Sequence, residues 1–171
     1  MALLFQPRWS GVEARHAAYP PGGVATDRGA VLLAALEAVL LGDPTDFGDL
    51  FTDDVVFTSP HLVVESVSAL EHAIGDREES LSDVEILVLT LDGSHDRLSA
   101  EWRLQAVFTG PVMFDDRLLI EPTGGGVHLP GASFADFRGP RICAFRHYFD
   151  DSELLGSAPG TASHLRWVGD Y

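Results

Sequence analysis

Residues 131–150 read GASFADFRGPRICAFRHYFD, two runs of strand-forming residues separated by Gly139-Pro140. Glycine and proline are typical of turns, so this stretch predicts an antiparallel hairpin of two strands, Val127–Phe137 and Arg141–Asp150. Side chains alternate between the two faces of a strand, and the turn fixes how the two strands pair. The hairpin therefore gives a starting point for assigning the rest of the sheet.

The turn sorts the residues of this hairpin onto two faces. In the predicted register, Arg138 pairs with Arg141, Phe137 with Ile142, Ala135 with Ala144, and Ser133 with Arg146. One predicted face carries Ser133, Ala135, Phe137, Ile142, Ala144, Arg146, Tyr148 and Asp150, and the other carries Phe134, Asp136, Cys143, Phe145, His147 and Phe149. A register error of one residue would change the partners but would leave Arg146, Tyr148 and Asp150 together.

Outward from the hairpin, the sequence is first helical and then rich in strands. Predicted helices cover Ala30–Leu41 (capped by Thr26 or Asp27, ended by Gly42), residues 43–51, and Ala69–Gly75 with a capping box from Ser68 to Glu71. Predicted strands cover Val55–Thr58, His61–Val64, Val84–Leu91, Leu98–Phe108 and Arg117–Glu121, with a loop at Thr109–Asp116. This order indicates an α+β fold with helices on one face of a curved sheet.

The length of 171 residues fits one domain. We expect this domain to span residues 26–156, between an irregular arm at 1–25 and a tail at 157–171. The arm combines prolines and glycines with isolated aromatic residues. That composition is compatible with a disordered leader, and equally with a segment that packs on the domain or on a second subunit.

The charge balance excludes several classes of function. The chain has 26 acidic and 11 basic residues and a net charge of −15, and all its basic residues are arginine. Without lysine there is no Schiff-base lysine and no phosphate-binding loop of the Walker type. The negative charge disfavours binding to nucleic acid or to anionic membranes. With no signal peptide or membrane-spanning run expected, a cytoplasmic protein is predicted.

The sequence predicts neither a metal site nor a cofactor. Its seven histidines are scattered and form no ligand motif. The stretch Gly131–Ala135 resembles a nucleophile elbow, but it lacks the final glycine and lies inside a predicted strand. The triple glycine at 124–126 is followed by no helix, so it is no dinucleotide fingerprint. The lone Cys143 excludes an internal disulfide and is expected to be a small core residue.

Two carboxylates, Asp136 and Asp150, lie within otherwise apolar predicted strands. Asp150 shares a predicted face with Tyr148 and Arg146, a set that offers a carboxylate, a phenol and a guanidinium together. In an enclosed apolar site a carboxylate becomes a usable acid or base. The alternative is a structural Arg–Asp pair at a strand end. Asp136 falls on the other, aromatic-rich face, which could equally be a subunit interface.

Several stretches together resemble one protein superfamily. Residues 46–57 (DFGDLFTDDVVF) resemble the second helix and first strand of the nuclear transport factor 2-like superfamily. Residues 122–124 (PTG), 137–142 (FRGPRI) and 148–155 (YFDDSELL) are similar to its SnoaL-like polyketide cyclase branch. The resemblance spans about residues 26–156 and rests on the order and spacing of these motifs.

The resemblance implies a cone-shaped α+β barrel, in which about three N-terminal helices close a strongly curved, mainly antiparallel sheet around one pocket. It also implies a cofactor-free enzyme of natural-product biosynthesis that uses an Asp as acid and base in an intramolecular aldol ring closure. That Asp falls at Asp150, the residue that the alternation of side chains also selects. We expect Tyr148 and Arg146, on the same predicted face, to orient the substrate or its enolate. The expected partners are a small hydrophobic, polyketide-like substrate and a second copy of the chain, bound through the outer face of the sheet.

Six residues are candidates for binding the substrate: Phe51, Phe57, Ser59, Trp102, Phe108 and Ser133. The chain departs from relatives at two of them. Phe108 stands where many relatives have histidine, and Ser59 stands where the ketosteroid isomerase branch has its basic Asp, so isomerisation by that base is not expected. Other possibilities are an epoxide-opening cyclase or hydrolase, a dehydratase, another isomerase, or a binding protein without catalysis. An epoxide hydrolase would need a second carboxylate near Arg146, and the predicted register places Asp136 on the opposite face.

Overall fold

A computed structural model describes residues 23–75, 80–114 and 118–150. The helices in these residues are α1 (Gly23–Leu41), α2 (Phe47–Leu50) and α3 (Val67–Gly75). The strands are β1 (Phe51–Thr58), β2 (Val63–Val64), β3 (Leu81–Ser94), β4 (Arg97–Phe108), β5 (Val112–Phe114), β6 (Leu118–Ile120), β7 (Gly126–Arg138) and β8 (Arg141–Phe149). Helices thus precede the long strands, and the predicted α+β class is confirmed.

Six of the strands form one mixed sheet, in the order β2-β1-β8-β7-β4-β3. β1 runs parallel to β8, and the other neighbours are antiparallel. β2 and β3 are the two edges and do not pair with each other, so hydrogen bonds do not close the sheet into the predicted barrel. β5 and β6 form a separate two-stranded ribbon.

One face of the sheet is covered by the helices and carries the core. Along β4 every second residue from Leu98 to Phe108 is buried, as the period of a half-buried strand requires. α1 contacts β3, β4 and β8, while α2 and α3 contact β1. We call the face of β4 that carries Trp102 the inner face, and the opposite one the outer face.

In the described part of the chain, no helix combines the length and the hydropathy needed to cross a bilayer.

Arg28 fastens the N-terminal part of α1 to two turns of the sheet. Its guanidinium donates to the backbone oxygen of Gly139 (2.7 Å), to the carboxylate of Asp96 (3.0 Å) and to the backbone oxygen of His95. The same group lies 5.3 Å from the centroid of the Phe137 ring. These contacts fix where α1 crosses the inner face.

The predicted helix starts need correction. α1 begins at Gly23, before the expected caps Thr26 and Asp27. It ends at Leu41, as the glycine at position 42 predicted, and Gly42 has a φ of 75°. α3 begins at Val67 because Ser66 Oγ accepts a hydrogen bond from the backbone nitrogen of Ala69 (3.2 Å). The capping serine is therefore Ser66, not Ser68.

Several strands differ from their predicted extents because distant segments pair with them. β1 begins at Phe51, four residues early, since Phe51 pairs with Ile142 of β8. The predicted loop Thr109–Asp116 contains β5, which pairs with β6.

The domain boundaries stay predictions, because residues 1–22 and 151–171, which hold nearly all of the arm and all of the tail, lie outside the described residues.

The hairpin that anchors the prediction contains a bulge. The turn and the pairs Arg138–Arg141 and Phe137–Ile142 are as predicted, but Asp136 then pairs with Ala144, which leaves Cys143 as an extra residue on β8. Ala135 consequently faces Phe145, and Ser133 faces His147. The predicted pairs with Ala144 and Arg146 are wrong, and the two sets of β8 side chains beyond the bulge exchange faces.

Candidate functional site

Three side chains form a buried polar network on the inner face. Trp102 Nε1 donates a hydrogen bond to Ser133 Oγ (3.0 Å), and Ser133 Oγ lies 2.8 Å from Nδ1 of His147. Trp102 and Ser133 are fully buried, and His147 is 3% exposed. β4, β7 and β8 each contribute one residue, so the register of these three neighbouring strands brings the groups together.

Aromatic rings surround the imidazole of His147. The indole of Trp102 stacks on it, with centroids 5.1 Å apart and an interplanar angle of 12°. The rings of Phe57, Phe145 and Phe149 lie 6.4, 5.9 and 5.4 Å from it. An imidazole in such surroundings is the principal group on this stretch of the inner face that can exchange a proton or hydrogen-bond a polar ligand.

Beyond His147, the described residues at the end of β8 are less buried than the site itself. Phe149, next on the inner face after His147, is half-buried, and His61 is exposed and meets its ring edge-on at 5.9 Å. Ser59 follows β1 at the same end, and its backbone nitrogen donates to the backbone oxygen of Leu62 (2.8 Å). A ligand reaching His147 from this end would pass these three residues.

Glu37 is the other buried titratable side chain among the His, Asp and Glu residues that the structure describes. It is 5% exposed and lies on α1, the helix that crosses β8 on the inner face. Burying a carboxylate costs considerable free energy, so such a group is seldom placed in a core for packing alone. Among the described residues, the buried acidic and imidazole groups are therefore the carboxyl group of Glu37 on α1 and the ring of His147 on β8.

The three predicted catalytic residues do not line the interior. Beyond the bulge, Arg146 and Tyr148 project from the outer face, where Tyr148 is 46% exposed and packs edge-on against Phe134. Asp150 follows β8 and is exposed, while its backbone nitrogen donates to the oxygen of Pro130 (3.0 Å). The prediction that they share a pocket face with Ser133 is therefore wrong, and the geometry on which they were selected is absent.

Asp136 holds Arg146 on the outer face. Its carboxylate accepts hydrogen bonds from Nη1 of Arg146 (2.9 Å) and from Nε of Arg97. Burial raises the pKa of the Asp136 carboxyl, but the hydrogen bonds from the two guanidinium groups outweigh burial and leave this pKa below its ordinary value. Asp136 is therefore ionised at neutral pH. The alternative interpretation of the sequence was a structural ion pair between Arg146 and Asp150. The structure has such a pair, but the partner of Arg146 is Asp136.

The predicted substrate-binding residues fall mostly in the interior. Phe51, Phe57, Trp102, Phe108 and Ser133 are buried, each with 1% exposure or less, and Ser59 is half-buried at the end of β1. Phe51 meets Phe47 and Phe145 edge-on at 5.2 and 5.8 Å, which places it in packed core. Trp102 and Ser133 contact His147 directly. Whether these residues bind a substrate stays a prediction.

Two interior residues were not selected from the sequence. His147 was assigned to the face opposite the site, although its neighbours Phe145 and Phe149 mark an apolar, inward-facing row. Glu37 is the one charged residue in Ala30–Leu41, a segment predicted to be buried almost all round. In both cases the signal was a polar group inside an apolar periodic segment.

Comparison with known proteins identifies the fold. A protein from Jannaschia sp. CCS1, provisionally named a SnoaL-like polyketide cyclase, superposes with a TM-score of 0.66 at 13% identity, over 83% of this chain and 98% of that one. An LEH-like epoxide hydrolase from M. tuberculosis gives 0.57 at 12% identity, over 80% and 92%. A Catenulispora acidiphila protein described as having a ketosteroid isomerase-like fold gives 0.58 at 14% identity, over 75% and 92%.

The sequence comparison agrees with the structural one. No curated protein matches the chain. The family model of the SnoaL-like domain matches residues 32–145, from the middle of α1 to Phe145 on β8. The matched region therefore includes Glu37, Trp102 and Ser133 and ends two residues before His147. The chain belongs to the SnoaL-like domain family and has its nuclear transport factor 2-like fold.

Proposed function

We propose that this protein is a cofactor-independent enzyme that closes a ring in a polyketide-like substrate, with His147 at its centre. The supporting observation is the imidazole of His147, which is held by Ser133, stacked on Trp102 and enclosed by aromatic rings. The SnoaL-like family and a neighbour named a polyketide cyclase support this class of reaction. A flat apolar wall with one polar group suits a planar, carbonyl-bearing ligand.

The chemistry we propose is an intramolecular aldol reaction. The Glu37 carboxylate takes the proton from a carbon between two carbonyl groups, and that carbon forms a bond to a ketone carbon in the same molecule. The ketone oxygen becomes an alkoxide, which accepts a hydrogen bond from His147. The proton then passes from Glu37 to the alkoxide. The product is an isomer of the substrate, and both side chains return to their starting states.

A non-catalytic binding role and the opening of an epoxide are the alternatives. The M. tuberculosis neighbour is named an LEH-like epoxide hydrolase, and the fold permits either chemistry. The predicted register placed Asp136 on the face opposite Arg146, and this prediction is wrong because the two residues form an ion pair. The second carboxylate that a hydrolase would need near Arg146 is therefore present, but it lies on the outer face and away from His147. No arginine is buried among the described residues, so they place no arginine between carboxylates in the interior, which favours ring closure.

Cofactor-free turnover is the direct test. The full chain, treated with a chelator and dialysed, is incubated with an aromatic β-ketoester that carries a second ketone, and separately with an apolar cyclic epoxide. We expect the ketoester to be converted to a cyclic isomer of unchanged mass at the same rate before and after chelation. Binding without conversion would support a binding protein, and diol formed from the epoxide alone would support a hydrolase. Either result would contradict the proposal.

We also propose that the chain forms a homodimer through its outer face. Val56, Val63 and Tyr148 are exposed apolar or aromatic side chains on β1, β2 and β8, with exposures of 43%, 66% and 46%. Sedimentation velocity of the full chain is expected to show a species of twice 18.5 kDa, and Tyr148→Asp is expected to shift it to the monomer. A monomer at micromolar concentrations of the unaltered chain would contradict this proposal.

A further inference from the structure

The hydrogen bonds around Ser133 have a defined direction. Trp102 Nε1 carries a hydrogen and has no acceptor site, so it donates to Ser133 Oγ. A hydroxyl has one hydrogen and two lone pairs, which leaves the hydrogen of Ser133 available for Nδ1 of His147 at 2.8 Å. If Ser133 donates in this way, Nδ1 is an acceptor and the proton of the neutral imidazole lies on Nε2.

The opposite arrangement would leave a buried hydrogen unsatisfied. If Nδ1 carried the proton and donated to Ser133 Oγ, the hydroxyl hydrogen would need a third partner. Ser133 is fully buried, and within the described residues its side chain makes hydrogen bonds only to Trp102 and His147. A buried donor without an acceptor is unfavourable, so donation from Ser133 to His147 is the favoured direction.

The sheet holds the partners of this bond in place. Trp102 of β4 is paired with Gly131 of β7, and a Cβ atom at Gly131 would overlap Cζ2, Cη2 and Cε2 of the indole. The absence of a side chain there lets the indole lie flat beside β7, where it both reaches Ser133 and stacks on His147 at 5.1 Å. The orientation of the imidazole is thereby limited by a stacked ring on one side and a hydroxyl at Nδ1.

We propose that Ser133 is a positioning residue that holds His147 in its Nε2–H tautomer, so that Nε2 of His147 donates a hydrogen bond rather than accepting one. Any group that meets Nε2, whether from a ligand or from the protein, must then supply an acceptor, and a ligand would do so with a carbonyl, ether or epoxide oxygen rather than with an ammonium group. This inference rests on the proposed function for the ligand. The tautomer itself is a property of the protein alone, so a wrong assignment of the tautomer can be distinguished from a wrong assignment of the function.

Nitrogen-15 NMR of the full chain with labelled histidine tests the tautomer without a ligand. The His147 resonances are assigned by their loss in His147→Gln. With the ring of His147 singly protonated, we expect correlation patterns to identify the protonated nitrogen as Nε2. In Ser133→Ala the share of the Nδ1–H form should rise, whereas Ser99→Ala, which removes an outer-face hydroxyl of β4, should leave His147 unchanged.

The unaltered chain alone can overturn the proposal. An Nδ1–H form, or a doubly protonated ring at neutral pH, would show that Ser133 does not donate to His147. If Ser133→Ala folds and the His147 tautomer stays the same, Ser133 does not set it. Loss of activity in His147→Gln together with an Nδ1–H ring would retain the proposed function and reject this inference.

Discussion

Replacing His147 with glutamine is expected to lower kcat for ring closure of the aromatic β-ketoester by about 10²–10³-fold, the usual range for loss of one hydrogen-bond donor to an oxyanion. Glutamine is polar and similar in length, so it can occupy the site between Trp102 and Ser133 without introducing a charge, but its flexible amide is not held where Nε2 of the stacked ring lies. KM should change less than kcat, because the stabilising hydrogen bond forms mainly to the developing alkoxide. The measurement is steady-state kinetics on folded protein, checked by circular dichroism.

Asp150→Asn is the matched control, because Asp150 is the catalytic residue predicted from the sequence. It follows β8 and is exposed, whereas His147 is 3% exposed on the inner face. We expect Asp150→Asn to retain kcat within a few-fold, and Glu37→Gln to reduce it as His147→Gln does. An inactive Asp150→Asn beside an active His147→Gln would restore the original assignment and reject the interior site.

The hairpin shows why the site could be predicted only in part. Two signals in residues 141–150 disagree about which side chains face inward. Counting from the turn placed Arg146 and Asp150 inside, whereas apolarity placed Phe145 and Phe149 inside. Burying a phenylalanine contributes about 1.5–3 kcal/mol, and burying an unpaired charge costs more than that. Hydrophobic burial therefore determines the orientation of β8. The extra residue Cys143 shifts the alternation by one position, so that the phenylalanines face inward although the pairs next to the turn are kept.

Features that depend only on neighbouring residues could be predicted from the sequence. Gly42 ends α1, Gly139 has the positive φ of its predicted turn, and β4 alternates from Leu98 onward as expected. Pairings between distant segments were not predictable in this way. The parallel contact of β1 with β8 joins residues about 90 positions apart, and the bond between Trp102 and Ser133 depends on the register of β4 with β7. The polar centre of the site follows from these long-range pairings.

The orientation of β8 can be tested through stability, with Phe145→Ala as the informative change. Phe145 is fully buried, stacks on Phe57 at 5.8 Å and meets Phe51 edge-on at 5.8 Å. Removing its ring leaves a cavity in the core, which is expected to lower the free energy of unfolding by about 3–5 kcal/mol. For a chain of this size such a loss lowers Tm by roughly 10 °C.

Tyr148→Ala is the matched control, an aromatic-to-alanine change on the same strand but on the outer face. Because Tyr148 is 46% exposed, we expect a loss of about 1 kcal/mol or less. Urea unfolding at two protein concentrations separates a dimer contribution, which depends on concentration, from a core contribution, which does not. Equal losses for the two variants, or a larger loss for Tyr148→Ala that is independent of concentration, would mean that β8 faces the other way. His147 would then lie outside, and Asp150 would again be the residue to test.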